Sequence, residues 1–87
     1  MRFQAAVVKE QGITFAVVVV KKSVVDSEHQ SRETILGFQS AFPGIPIVLM
    51  GQDSRGRAFY RGQRQDIVNF LSNVPVQAIP WRWYDYN

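Results

Sequence analysis

The stretch that decides the fold is ITFAVVVV, Ile13 to Val20, which is apolar apart from Thr14. Successive side chains of a strand point to opposite faces of a sheet, so the run from Val17 to Val20 would be apolar on both faces. Strands of this kind are typical of a sheet interior that is covered on two sides. We therefore predict that Ile13 to Val20 is an interior strand and not an edge strand.

The elements on either side of this strand have clear boundaries. RFQAAVVKE, residues 2–10, precedes it, and the intervening Gln11-Gly12 predicts a β-hairpin with a tight turn. After the strand, Ser27 and Gln30 have the spacing of a capping box, which predicts the start of a helix. Pro43-Gly44 should end that helix.

The second half of the chain repeats the alternation of strands and helices. It contains a buried strand, a turn, a strand broken by Gly62, an amphipathic helix closed by Pro75 and a last strand, in the segments IPIVLMG, QDSRG, RAFYRG, QRQDIVNFLSNV and VQAI. The predicted order is β-β-α-β-β-α-β in a single domain, residues 1–87. We expect an α+β, two-layer sandwich with both helices on one face of a mixed sheet.

Composition limits the chemistry. The 87 residues are 46% hydrophobic and 20% charged, and they include no cysteine. A disulfide framework, a thiolate metal site and a thiol nucleophile are thereby excluded for this chain, and a reducing, cytoplasmic setting is the expectation. The longest apolar run is too short for a membrane helix, so we expect no membrane partner.

A basic and aromatic stretch, SRGRAFYRGQR, occupies residues 54–64. It resembles half of the aromatic octapeptide of RNA-recognition-motif domains, and it lies on the third strand of the β-α-β-β-α-β order that starts at Ile13. The matching residues are Arg55, Gly56, Ala58 and Phe59, and the departures are Arg57, Tyr60 and Gly62. The resemblance implies a ferredoxin-like fold and binding of single-stranded nucleic acid.

The alternation of side chains between the two faces of this strand provides a physical argument for the resemblance. If Ala58 and Tyr60 point into the core, the side chains that share an open sheet face are Arg55, Arg57, Phe59 and Arg61. Phe59 could then stack on a base while the arginines, with Arg64, meet phosphate. The alternative is a solvated sheet face that carries arginine without binding anything.

A second resemblance, over Ile13 to Val74, is to the later part of a thioredoxin-like domain. Ile45-Pro46 occupies the position where that family has Ile-Pro with a cis bond, and Gly62 falls where the second hairpin strand of the family ends in Gly. The family's Cys-x-x-Cys element is absent, so thiol–disulfide chemistry is not implied here.

The C-terminal segment, PWRWYDY, concentrates aromatic residues. Alternation would place Trp81 and Trp83 on one face and Arg82 and Tyr84 on the other. Trp81 and Trp83 could cover the domain's own core, which is the commoner role in so small a domain, or anchor another protein chain.

Catalytic and metal-binding patterns are weak. His29 and Glu33 have i,i+4 spacing on the first helix and could hold a metal together with Asp26, but a solvated helix face explains them more simply. We therefore expect neither a catalytic residue nor a metal or cofactor. The sequence predicts a small binding module, for single-stranded nucleic acid or, alternatively, for a protein partner or a second copy of the chain. The candidate site residues are Arg55, Arg57, Phe59, Arg61, Arg64, Trp81 and Trp83.

Overall fold

A computed structural model describes residues 1–86 of the chain. It contains five strands and three helices, with a short 3-10 turn at Val76–Ala78. The elements in chain order are β1 (Arg2–Glu10), β2 (Ile13–Val19), α1 (Lys22–Asp26), α2 (Glu28–Gln39), β3 (Ile47–Gln52), β4 (Ala58–Gly62), α3 (Gln65–Leu71) and β5 (Arg82–Asp85).

The strands form one mixed sheet in the order β4-β3-β2-β1-β5. Only β2 and β3 are parallel, and the other neighbours are antiparallel. The α+β class and the interior position of Ile13–Val19 are therefore as predicted. The N-terminal strand lies between β2 and β5, so the last strand pairs with β1 and does not compete with it for an edge of β2.

Side chains from the two faces of the sheet enter two separate apolar clusters. The first core lies under α1 and α2 and contains Phe3, Ala5, Ala16, Val18, Val25, Ile35, Phe42, Ile47 and Leu49. The second core lies under α3 and the segment that follows it and contains Ala6, Phe15, Val17, Val48, Met50, Ile67, Val68, Leu71 and Ile79. The central strands β2 and β3 contribute to both cores in strict alternation.

The expectation that both helices share one face is therefore wrong. α2 packs on one face of the sheet and α3 packs on the other. The physical reason is that β2 and β3 are apolar on both sides, and a single helical layer would leave one of those sides in water.

Two further expectations need correction. β2 and β3 are direct neighbours in the sheet, whereas the split βαβ unit of a ferredoxin-like arrangement has another strand between them. The predicted strand VQAI is a 3-10 turn, and the last strand is Arg82–Asp85, beyond Pro80. The peptide bond between Ile45 and Pro46 is trans, whereas the thioredoxin-like family has a cis bond at the corresponding position.

The local signals in the sequence correspond to the observed element ends. Gln11 and Gly12 both have positive φ, 51° and 78°, as the tight hairpin turn between β1 and β2 requires. The side chain of Ser27 accepts a hydrogen bond from the Gln30 N–H at 3.1 Å and caps α2. The five-residue helix α1, which precedes this cap, was not expected, and it lies against Gly51 of β3.

Candidate functional site

The basic hairpin between β3 and β4 is organised by Asp53. Its Oδ1 accepts hydrogen bonds from the backbone N–H groups of Arg55 and Arg57, both at 2.9 Å. Its Oδ2 accepts a hydrogen bond from Nε of Arg57 at 2.7 Å. The backbone hydrogen bond from Arg57 is the largest cause that holds the pKa of Asp53 below its usual value. The side chain of Arg57 is thus an internal partner of the turn.

The side chains that point from β4 toward α1 do not lie on an open sheet face. Arg61 donates its Nε to the backbone carbonyl of Val25 at 2.6 Å, and Nζ of Lys22 lies 4.7 Å from the centre of the Phe59 ring. Ala58 and Tyr60 point into the second core, as alternation predicts. The face that Phe59 and Arg61 share is therefore partly covered by α1, because that short helix packs across β3.

Arg64 also has a partner within the chain. It donates Nε and Nη2 to the carboxylate of Asp66, at 3.2 and 2.6 Å. This side-chain hydrogen bond is the largest cause that lowers the pKa of Asp66. Among the four arginines of the hairpin region, Arg55 is the one whose side chain makes no hydrogen bond or ion pair within the described residues.

One polar atom on β4 is buried without a partner. The hydroxyl of Tyr60 makes no hydrogen bond within residues 1–86, and burial raises its pKa. Arg61 also lines a cleft of about 220 Å³ between β4 and α2, together with Glu28 and Arg32. Arg32 and Glu28 pair at 3.0 Å, so much of the charge in this cleft is already compensated.

The aromatic residues near β5 have three different environments. Trp81 packs against the second core and donates Nε1 to the carbonyl of Val76 at 3.0 Å. Tyr84 packs against the first core, stacked on Phe3 with ring centres 5.6 Å apart. Trp83 is 61% exposed, and the guanidinium of Arg2 lies 5.0 Å from its ring centre.

The backbone of β5 has a free side. Met1 and Tyr86 exchange two main-chain hydrogen bonds, of 2.7 and 2.8 Å, and so form a hydrogen-bonded pair of the antiparallel ladder. Such pairs recur at every second residue, so Arg82 and Tyr84 also direct their N–H and C=O groups toward β1. The N–H and C=O groups of Trp83 and Asp85 then point away from the sheet, where no strand of residues 1–86 lies.

The predicted site residues do not form one surface. Those on and around β4 lie at one edge of the sheet, and Trp81 and Trp83 lie near the other, with β3, β2 and β1 between them. Sequence reasoning missed Arg2 and Asp85, which belong to the β5 edge. It also missed Lys22, which covers Phe59. No local pattern indicates either contact, since each depends on which strands and helices become neighbours.

The proposed metal ligands do not converge. His29 Nε2 and Glu33 Oε1 lie 3.3 Å apart on the exposed face of α2, whereas Asp26 is paired with Lys22 at 2.7 Å. Within residues 1–86 there is no group of three or more His, Asp or Glu side chains arranged to hold a metal ion.

Comparison with known proteins does not assign this chain to a family. No family model, curated protein or solved structure matches this chain. Among the helices in the described part of the chain, none combines the length and the apolar character that crossing a membrane requires.

Proposed function

We propose that this protein is a non-catalytic binding module that joins an extended segment of a protein partner to its sheet at β5. The observation that carries the proposal is the combination of outward backbone groups at Trp83 and Asp85 with the 61% exposed indole of Trp83. Strand addition of this type derives affinity from main-chain hydrogen bonds and specificity from alternate side chains. A cysteine-free chain fits a cytoplasmic setting for this role.

The covered faces of the sheet support an edge as the binding surface. α1 and α2 pack on one face of the central strands and α3 on the other, which leaves little of β2 and β3 exposed for a partner. The sheet edges are β4 and β5. The unpaired backbone groups of an edge strand are the part of a sheet that a further strand can join.

The β5 edge is the better candidate of the two. At β4, Arg57, Arg61 and Arg64 are engaged within the chain by Asp53, the Val25 carbonyl and Asp66. At β5, Trp83 contributes to neither core. Large exposed aromatic residues dominate the binding energy of many protein interfaces, which is a use that fits Trp83.

A selection from a library of extended peptides, followed by titration, tests this function. A selected peptide should bind the wild-type chain and lose at least tenfold in affinity with Asp85→Pro, because proline removes an N–H that points away from β1. Asp85→Asn is the matched control, since it keeps that N–H. Equal affinity of the wild-type chain and the proline variant would contradict binding at β5.

Nucleic-acid binding at the β4 edge is the second candidate. It is favoured by the 37% exposed Phe59 ring beside Lys22 and by the exposed Arg55 in a chain of net charge +3. A titration with single-stranded RNA and DNA at two salt concentrations separates it from the first candidate. Phosphate contacts require affinity to fall steeply with salt, and Arg55→Ala should lower that slope by about one unit. Binding unchanged by Arg55→Ala and Phe59→Ala would exclude this edge as the site.

A further inference from the structure

We infer that the partner at β5 is a second copy of this chain, paired antiparallel through residues 82–86. This inference rests on the proposed function, because it uses the same free backbone groups. Two copies related by a two-fold axis perpendicular to the sheet would extend it from five strands to ten. The first cores of both copies would then lie on the same side of the joined sheet.

The free backbone groups restrict the register of such a pair. Outward-directed residues of one copy must face outward-directed residues of the other to exchange hydrogen bonds. The register centred on Tyr84 places Trp83 opposite Asp85 of the second copy, twice, and gives four main-chain hydrogen bonds. It also places Arg82 opposite Tyr86, so every residue from 82 to 86 has a facing partner.

Charge complementarity favours this register. Arg2 faces Asp85 of its own chain across the β1–β5 pair, but the two form no ion pair, and the guanidinium lies instead over Trp83. That position brings its positive charge toward the free edge. In the paired register, the carboxylate of Asp85 from the second copy arrives beside Trp83 on the same face, within the reach of an arginine side chain. Arg82 in turn faces the aromatic ring of Tyr86.

The size of the contact predicts a weak, reversible dimer. A pair of five-residue strands buries less than the roughly 1,200–2,000 Å² of stable interfaces. Contacts of this size belong to the weak, transient class of interfaces. The dimer should therefore appear and disappear with protein concentration.

Sedimentation equilibrium over a range from micromolar to millimolar protein tests the inference. The wild-type chain should dimerise, Asp85→Pro should remain a monomer, and Asp85→Asn should dimerise several-fold more weakly because it loses only the charge. Trp83→Asp, at an exposed position, gives a second variant that should also prevent dimerisation, since it places carboxylates opposite each other. A wild-type chain that is monomeric at millimolar concentration, or a dimer that survives in both Asp85→Pro and Trp83→Asp, overturns the inference.

The register has its own test because the chain contains no cysteine. Arg82→Cys and Tyr86→Cys chains, mixed under oxidising conditions, should form the mixed disulfide faster than either variant couples to itself. Faster self-coupling of either variant would overturn the register. A monomeric wild-type chain that still binds a library peptide, with the loss expected for Asp85→Pro, would refute the second copy as partner and leave the proposed function standing.

Discussion

At the scale of single residues, two glycines give opposite predictions for the same substitution. A Cβ at Gly51 would lie 2.7 Å from Cα and 3.0 Å from N of Lys22, both backbone atoms of α1, whereas a Cβ at Gly37 would meet nothing within 4 Å. Gly51→Ala should therefore destabilise the fold by about 2 kcal/mol or more, because α1 must move. Gly37→Ala should stabilise it by about 0.5–1 kcal/mol, because alanine is the better helix former. Urea unfolding measures both, and a Gly51→Ala variant as stable as the wild type would refute the packing of α1 on β3.

Asp53 makes the hairpin turn sensitive to acid. Its pKa is lowered in the folded chain, so the charged carboxylate is favoured by folding, and its stabilising effect is complete above its unfolded pKa of about 3.9. That effect is lost as the pH falls through the lower, folded value. Asp53→Asn should accordingly be less stable than the wild type at pH 7, and the gap should narrow below about pH 4. Unfolding curves at pH 7 and pH 3 test this, and a gap of constant size would contradict the assigned hydrogen bonds.

Some residue-scale features follow from the sequence and others do not. The Ser27 cap and the inward direction of Ala58 and Tyr60 depend on spacing within a few residues, and both predictions are confirmed. The hydrogen bond from Arg61 to the Val25 carbonyl joins residues 36 positions apart and depends on an unexpected helix. An arginine on a strand has the same local pattern whether it faces water or a carbonyl.

At the scale of elements, β5 is held by one side chain and exposes another. Tyr84 stacks on Phe3 and contacts Phe42 edge-on with ring centres 5.4 Å apart, whereas Trp83 is mostly in water. Tyr84→Ala should cost about 2–3 kcal/mol of folding stability, and Trp83→Ala about 1 kcal/mol or less. Thermal unfolding of the two variants at low protein concentration measures the difference. A larger loss for Trp83→Ala would mean that Trp83 belongs to the core.

Apart from α1, the order of helices and strands up to α3 is as the sequence predicts, but the prediction that α3 shares a face with α2 is wrong. The run from Val17 to Val20 already indicated cover on two sides, and that signal is borne out by the alternation of β2 between the two cores. Placing both helices on one face contradicted it. The expected last strand is misplaced because VQAI has the apolar content of a strand, whereas Val76–Ala78 forms a 3-10 turn and the strand begins at Arg82.

At the scale of the whole molecule, the two helical layers determine which surfaces remain for binding. β2 and β3 are covered on both faces, and three of the four arginines around β4 have partners within the chain, whereas Trp83 on β5 is mostly exposed. This arrangement could not be predicted from the sequence, because it requires the N-terminal strand to lie between β2 and β5. Because Arg57 and Arg64 are paired within the chain, the net charge of +3 does not by itself indicate a nucleic-acid site.

Amide hydrogen exchange at Trp83 and Asp85, followed by NMR, is the most direct measurement of the central claim. In dilute protein these two N–H groups should exchange rapidly, while that of Tyr84, bonded to β1, should be protected. Raising the protein concentration, or adding a bound peptide, should protect Trp83 and Asp85 and leave Tyr84 little changed. Strong protection of Trp83 and Asp85 in the dilute monomer, or no gain in protection on binding, would contradict strand addition at β5.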